Sequence, residues 1–124
     1  MRNVVLIFVG GGLGSVVRHY ISKWINGLGA FSFPMGTLAA NLLACLILGI
    51  IIGFADHKYV MPPATRLFWT VGFCGGFSTF SAFSNETLTL LQGGFTLTAA
   101  LYVGASLLLC VFAVYAGLYL GQQL

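Results

Sequence analysis

The chain has 124 residues, 59% hydrophobic and only 6% charged, with a mean hydropathy of +1.01. A soluble domain carries roughly one-quarter charged residues, so these proportions exclude an ordinary soluble fold and place the chain in a lipid bilayer. The net charge of +3 rests on Arg2, Arg18, Lys23, Lys58 and Arg66 against two acids; the basic residues form no run, which excludes a nucleic-acid footprint.

A helix crossing the hydrocarbon needs about 20 mostly apolar residues. Four such spans, over about 3–25, 33–55, 66–92 and 95–121, nearly exhaust the sequence, so residues 1–124 read as a single four-helix transmembrane domain with no extramembrane domain expected. In the first, "NVVLIFVGGGLGSVVRHYISKWI" outruns a signal peptide and meets charges where a cleavage site would be, so it reads as a span. Its "GGGLGS" permits close helix contact. Arg18 is either a snorkelling interfacial anchor, the commoner role of a lone arginine, or an anion attractor at a vestibule. His19 sits at an interface, facing water.

The first connection, "NGLGAFS", leads to Pro34 and the second span. Thr37 and Asn41 lie one turn apart on one face. An amide at that depth either glues helices together or offers N–H donors to a dehydrated solute. Gly49 and Gly53 repeat the small-residue spacing. "DHKYVMPPAT" then combines charges with a Pro-Pro breaker, leaving Asp56 and His57 in a loop facing water.

The third span carries "GFCGGFSTFSAFS" (72–84). Glycines and serines weaken a helix interior, and roughly 27 residues from Arg66 to Gln92 is long for one straight crossing. The Gly75–Gly76 pair therefore predicts two half-helices joined by a non-helical crossing, whose freed carbonyls are hard oxygen ligands suited to a small alkali cation. A glycine kink that lets another helix pass is the simpler alternative. Phe80 and Phe83 fall on one face, with Phe73 and Phe77 continuing an aromatic stripe. Such stripes are usually core, but phenyl edges carry positive quadrupole density and can stabilise a confined anion. Glu86 would ordinarily indicate proton or cation coupling; its polar neighbours Ser84, Asn85 and Thr87 favour a wet wall or a carboxylate satisfied by hydroxyls.

After "QGG", the fourth span places Tyr102, Ser106 and Cys110 four apart on one face, a weak signal alone that with Thr37 and Asn41 would line a narrow polar track. Gly117 and Gly121 repeat the small-residue spacing. Cys45, Cys74 and Cys110 are odd in number and far apart in sequence, with no metal-ligand spacing, and read as small buried hydrophobes.

Basic residues in short loops decide orientation. The termini and middle loop share Arg2, Lys58 and Arg66, while the other side holds Arg18 and Lys23. Three against two is nearly a tie, which predicts either a weakly biased single topology or insertion both ways round as an antiparallel homodimer. A second copy would supply the wall that one small bundle lacks.

"GGGLGSVVRH", "FPMGTLAAN" and "GFCGGFSTFSAFS" resemble the signature regions of the small bacterial fluoride channels, the Fluc (CrcB-type) family, across the whole chain in length, layout and motif order. The resemblance implies an all-α, antiparallel dual-topology homodimer in the bacterial inner membrane that exports fluoride passively through two pores along the subunit interface. It implies pore roles for Phe80, Phe83 and Asn41, a polar track of Tyr102 and Ser106 with Ser81 and Thr37 as further members, and vestibule positions for Arg18 and Glu86. It also implies a structural sodium ion at the dimer centre, held by the main-chain carbonyls of Gly75 and Ser78.

Two residues depart from the family pattern: Ala82 stands where a threonine hydroxyl is usual, and Cys110 where a stronger hydrogen-bonding group is. The alternative function is a small dual-topology multidrug or cation exporter using Glu86, with the aromatics cradling a cationic drug. A non-transporting scaffold packing through its glycine faces is a third. No nucleophile and base pair, and no metal cluster, points to an enzyme.

Overall fold

The computed structural model describes residues 1–29, 32–58 and 61–124. Ala30 and Phe31 of the first predicted connection, and Tyr59 and Val60 of the second, lie outside the described residues. The described chain is helical throughout. α1 covers Arg2–Gly27 and α2 Met35–Lys58. A short α3 (Pro63–Leu67) runs into a π-helical segment (Phe68–Cys74) and then α4 (Gly75–Phe77). After two extended residues come α5 (Phe80–Gln92) and α6 (Thr96–Gln123).

Three of these helices, α1, α2 and α6, are long and apolar enough to cross a membrane. With their sparse charge, they make the chain a multi-pass membrane protein. The predicted second span ends later than expected, because α2 continues through Asp56, His57 and Lys58. Asp56 is thus in the last turn of a helix, where it pairs with Arg66 at 2.9 Å.

Glycines decide how closely the helices approach. α2 and α6 share the most extensive contact in the molecule, and it is built backbone to backbone. A Cβ on Gly49 would lie 2.3 Å from the Val114 carbonyl, and one on Gly121 would lie 2.2 Å from that of Ile50. Gly53 and Gly117 are as tightly enclosed. These small-residue spacings are therefore used within the subunit. On the other side, α1 packs on the π-helical segment and α4 through Gly10, Gly14 and Gly76, the last facing the Gly11 carbonyl.

Buried Ala40, Ala44 and Phe77 form the core between these layers, with Val17, Ile21, Ile47 and Phe73 packed around them. Small alanines on α2 leave room for the Phe77 ring. The outward faces are apolar: Val4, Phe8 and Trp24 on α1, and Leu101, Leu108 and Phe112 on α6, are exposed. No residue of α5 is buried. At the α5–α6 corner Gly94 takes φ +81°, a left-handed conformation suited to glycine.

The interruption in the third region differs in place and cause from the expectation. Gly75 is helical (φ −63°, ψ −37°), and it is Ser78 (φ −79°, ψ 156°) and Thr79 (φ −148°, ψ 117°) that leave the helix. The glycine pair instead serves helix approach at Gly76, the simpler role. The aromatic stripe also divides: Phe73 and Phe77 turn into the core, whereas Phe80 and Phe83 point elsewhere and pair with each other. An extended residue pair rotates the following helix out of phase with the one before it.

Candidate functional site

The freed backbone N–H of Thr79 is the starting point. A backbone N–H away from water must find a partner, and Asn41 of α2 engages it together with the carbonyl of the same residue. Its Oδ1 accepts from the Thr79 N–H at 2.7 Å, and its Nδ2 donates to the Thr79 carbonyl at 3.2 Å. A side-chain amide is the one uncharged group that copies both halves of a peptide. The Thr79 hydroxyl then caps α5 by accepting from the Ala82 N–H at 3.2 Å, and it lies 3.2 Å from the Ser81 hydroxyl.

The turn before the interruption is tied down from α1. Arg18 Nη1 donates to the Ser78 carbonyl at 3.3 Å, and Ser15 Oγ donates to that of Gly76 at 3.4 Å. Ser78 Oγ bonds back to the Cys74 carbonyl at 3.0 Å. Arg18 thus has a protein partner within the bundle besides its place near water.

Glu86, one face along α5, accepts two short bonds: Thr37 Oγ1 donates to Oε1 at 2.6 Å and Tyr102 OH to Oε2 at 2.7 Å. Distances of this size are those of hydroxyls on a carboxylate. Three helices, α2, α5 and α6, are therefore joined at one acid. The expectation of a carboxylate satisfied by hydroxyls agrees with this geometry. Tyr102 is fully buried and stacks edge-on with Phe33 at 5.3 Å and tilted with Phe83 at 5.2 Å. Phe83 pairs in turn with Phe80 at 5.5 Å, and the Phe80 ring is 76% exposed.

Two cavities flank this assembly. The larger, about 650 Å³, is lined by Arg18, Lys23, Thr37, Thr79, Ser81 and Glu86, among other polar groups. The smaller, about 290 Å³, is walled by Phe80, Phe83, Asn41, Ser106, Cys45 and Cys110, among others. Ser106 is 6% exposed and its hydroxyl has no hydrogen-bond partner. A buried orphan hydroxyl is costly unless something occupies the space before it.

Sequence-predicted residues thus fall into two groups. Arg18, Thr37, Ser81 and Glu86 share the larger cavity, and Asn41, Phe80, Phe83, Ser106 and Ser78 share the smaller. Tyr102 joins them through Glu86 and Phe83. Gly75 stands apart from both cavities. Thr79 was missed as a member, although it lines both; its place between two phenylalanine-bearing half-helices and its N-cap chemistry were the available signals. The nearness of Cys45 to Cys110 was also missed, because residues so far apart in sequence meet only once α2 and α6 pack.

A helical, multi-pass membrane protein in which hydroxyls, one amide and one acid converge beside paired phenyl rings belongs to the class that handles a small solute within the bilayer. The family model described as CrcB-like protein, Camphor Resistance (CrcB), matches residues 5–118. Curated relatives named fluoride-specific ion channel FluC are similar along their full length. That of Bacteroides fragilis is 44% identical, covering 99% of this chain and 98% of the relative. That of Pyrococcus furiosus is 42% identical over 99% and 98%, and that of Flavobacterium psychrophilum 38% over the whole of both. The chain belongs to the CrcB family.

Proposed function

We propose that this chain is a fluoride-selective channel that lets cytoplasmic fluoride leave the cell by electrodiffusion. The observation that carries the reading is the orphan hydroxyl of Ser106, buried in the same cavity as the Phe80 and Phe83 rings. A hydroxyl without a partner is a donor held ready for an acceptor, and phenyl edges add diffuse positive density without a tightly binding charge. A small hard anion uses both. Family membership supports the same ion, since curated relatives carry that activity in their names.

In this reading the 650 Å³ cavity is the vestibule, where Arg18 and Lys23 raise the local anion concentration. Fluoride exchanges water for the hydroxyls of Ser81 and Thr79 and then passes the Phe80 and Phe83 rings toward Ser106. Asn41 holds the interruption open, its second amide hydrogen remaining free for the ion. Glu86 fixes the Thr37 and Tyr102 hydroxyls in place. The negative interior drives an anion outward, so no energy coupling and no catalysis is required.

The complete channel in this proposal is an antiparallel homodimer in the bacterial inner membrane, each copy one four-span domain whose third span is broken in mid-membrane at Ser78–Thr79. Its support is the near-tied charge count and the exposure of Phe80, which a partner would cover. The family's structural sodium ion would be held by the Gly75 and Ser78 carbonyls, where it would supply positive charge to the carbonyl dipoles. Gly75 fits: the Thr79 N–H that would continue its helix is turned to Asn41, and the glycine is exposed. Ser78 shares its carbonyl with Arg18, which leaves it one lone pair.

The deciding experiment is anion efflux from liposomes holding the purified protein, comparing fluoride with chloride at matched gradients in sodium buffer. Fast fluoride loss without chloride loss is expected. Equal loss of both, or of neither, refutes the proposal.

A further inference from the structure

Cys45 of α2 and Cys110 of α6 stand 65 positions apart in the chain (110 minus 45) and meet in the folded molecule. Both line the 290 Å³ cavity and both are half-buried. Ser106, one turn before Cys110, presents its unpartnered hydroxyl to the same cavity. The spacing of the two thiols is held by the glycine seam, where Gly49 and Gly117 leave no room for even a methyl group between α2 and α6. Such a pair is prearranged and bordered by space large enough for an ion.

We propose that Cys45 and Cys110 form a two-coordinate site for a soft d10 cation of the mercury(II), silver(I) or copper(I) class. Thiolates select soft metals. Among the described residues no group of three or more His, Cys, Asp or Glu could hold a metal, so the four ligands of a structural zinc are not met. Two thiols instead suit ions that accept two-coordinate binding. Neutral mercury(II) chloride can cross hydrocarbon to reach them. On binding, two S–H and two Hg–Cl bonds break, two S–Hg bonds form, and two protons leave with two chlorides; no atom changes oxidation state. The bound ion lies beside Phe80 and Phe83, so in the channel reading, on which this consequence alone rests, it blocks fluoride.

Cys74 provides an internal control. It is buried and shares with Cys45 a separate cavity of about 120 Å³ that Cys110 does not line, and it is absent from the lining of the 290 Å³ cavity.

The test treats the purified full-length protein with one equivalent of mercury(II) chloride, then proteolyses it and maps metal-linked peptides by mass spectrometry. A mercury bridge joining the Cys45 and Cys110 peptides is expected, with two of the three thiols lost to maleimide titration. Cys74→Ala should bind alike, whereas Cys110→Ala and the milder Cys110→Ser should surrender the metal to excess free cysteine. A bridge from Cys45 to Cys74, or no bridge in the unaltered protein, overturns the site whether or not the variants fold. Fluoride efflux from liposomes should fall more than tenfold and recover with a dithiol. Unchanged efflux in bridged protein overturns the block, and absence of efflux before treatment counts against the channel reading alone, since the bridge is read without flux.

Discussion

Asn41 bears on stability and flux through the same amide. Its amide receives the freed N–H of Thr79 and adds a bond to that residue's carbonyl, and the N–H left unpaired in the bundle costs about 1 to 3 kcal/mol. Asn41→Ala should therefore lower thermal stability in detergent as well as fluoride efflux. Asn41→Asp keeps the acceptor for the Thr79 N–H but loses the donor, and should fall between the two. Equal melting temperatures for all three proteins would show that the clamp does not stabilise the interruption. Ala82 lines the larger cavity beside Ser81 and Glu86, where the family pattern has a hydroxyl. Ala82→Thr should raise efflux by up to about tenfold, the lower part of the range corresponding to one recovered donor; no change in liposome flux would show that the hydroxyl takes no part. Glu86 is already engaged by two hydroxyls, so Glu86→Gln should reduce fluoride efflux without abolishing it, and efflux should not follow an imposed proton gradient. Complete loss together with proton dependence would favour the exporter.

The helices show why glycine placement matters more than glycine number. At Gly121 a methyl group would meet the Ile50 carbonyl at 2.2 Å, while at Gly104 it would meet nothing within 4 Å. Gly121→Ala should destabilise the protein by about 1 to 3 kcal/mol through overpacking, and Gly104→Ala should be neutral or gain up to about 1 kcal/mol from better helix propensity. Thermal unfolding monitored by circular dichroism compares the two directly, and a loss as large at Gly104 as at Gly121 would contradict the seam. The π-helical segment and the extended pair that follows it belong to the same scale. Together they turn Phe77 inward and Phe80 outward although the two are only three residues apart, and so divide one aromatic stripe into a core half and a cavity half.

At the scale of the whole molecule, one subunit leaves a phenyl ring, a cavity mouth and long apolar faces uncovered. Lipid covers apolar faces, but a dehydrated ion path beside Phe80 needs a protein wall, which is the reason a second copy is proposed. With three basic residues on one side against two on the other, the charge count favours neither direction, and insertion in both is part of the proposal. A cysteine introduced near the carboxyl terminus, as Gln122→Cys in a background lacking the native thiols, should react with an impermeant maleimide in intact cells and in inverted vesicles alike. Reaction from one face only would rule out dual insertion.

Apolar character and the three long apolar helices were legible because they are local: hydropathy sums over neighbours in the chain, and a helix buried in lipid needs no partner to satisfy its backbone. The grouping of Thr37 with Asn41 and of Tyr102 with Ser106 was legible for the same reason, since helical spacing alone puts them on shared faces. Which atoms meet is a different matter. Glu86 gathers hydroxyls from α2 and α6, Asn41 captures the backbone of Thr79, and Cys45 finds Cys110, each across a distance in sequence that only packing closes. The interruption moved from the glycine pair to Ser78–Thr79 because local propensity marks where a helix is weak, whereas a partner able to receive the freed N–H decides where it opens. The sequence by itself determined the solvent, the long apolar helices and the residues capable of polar work; the tertiary structure decided their partners, because hydrogen bonds and van der Waals contacts act over a few ångströms of space and not along the chain.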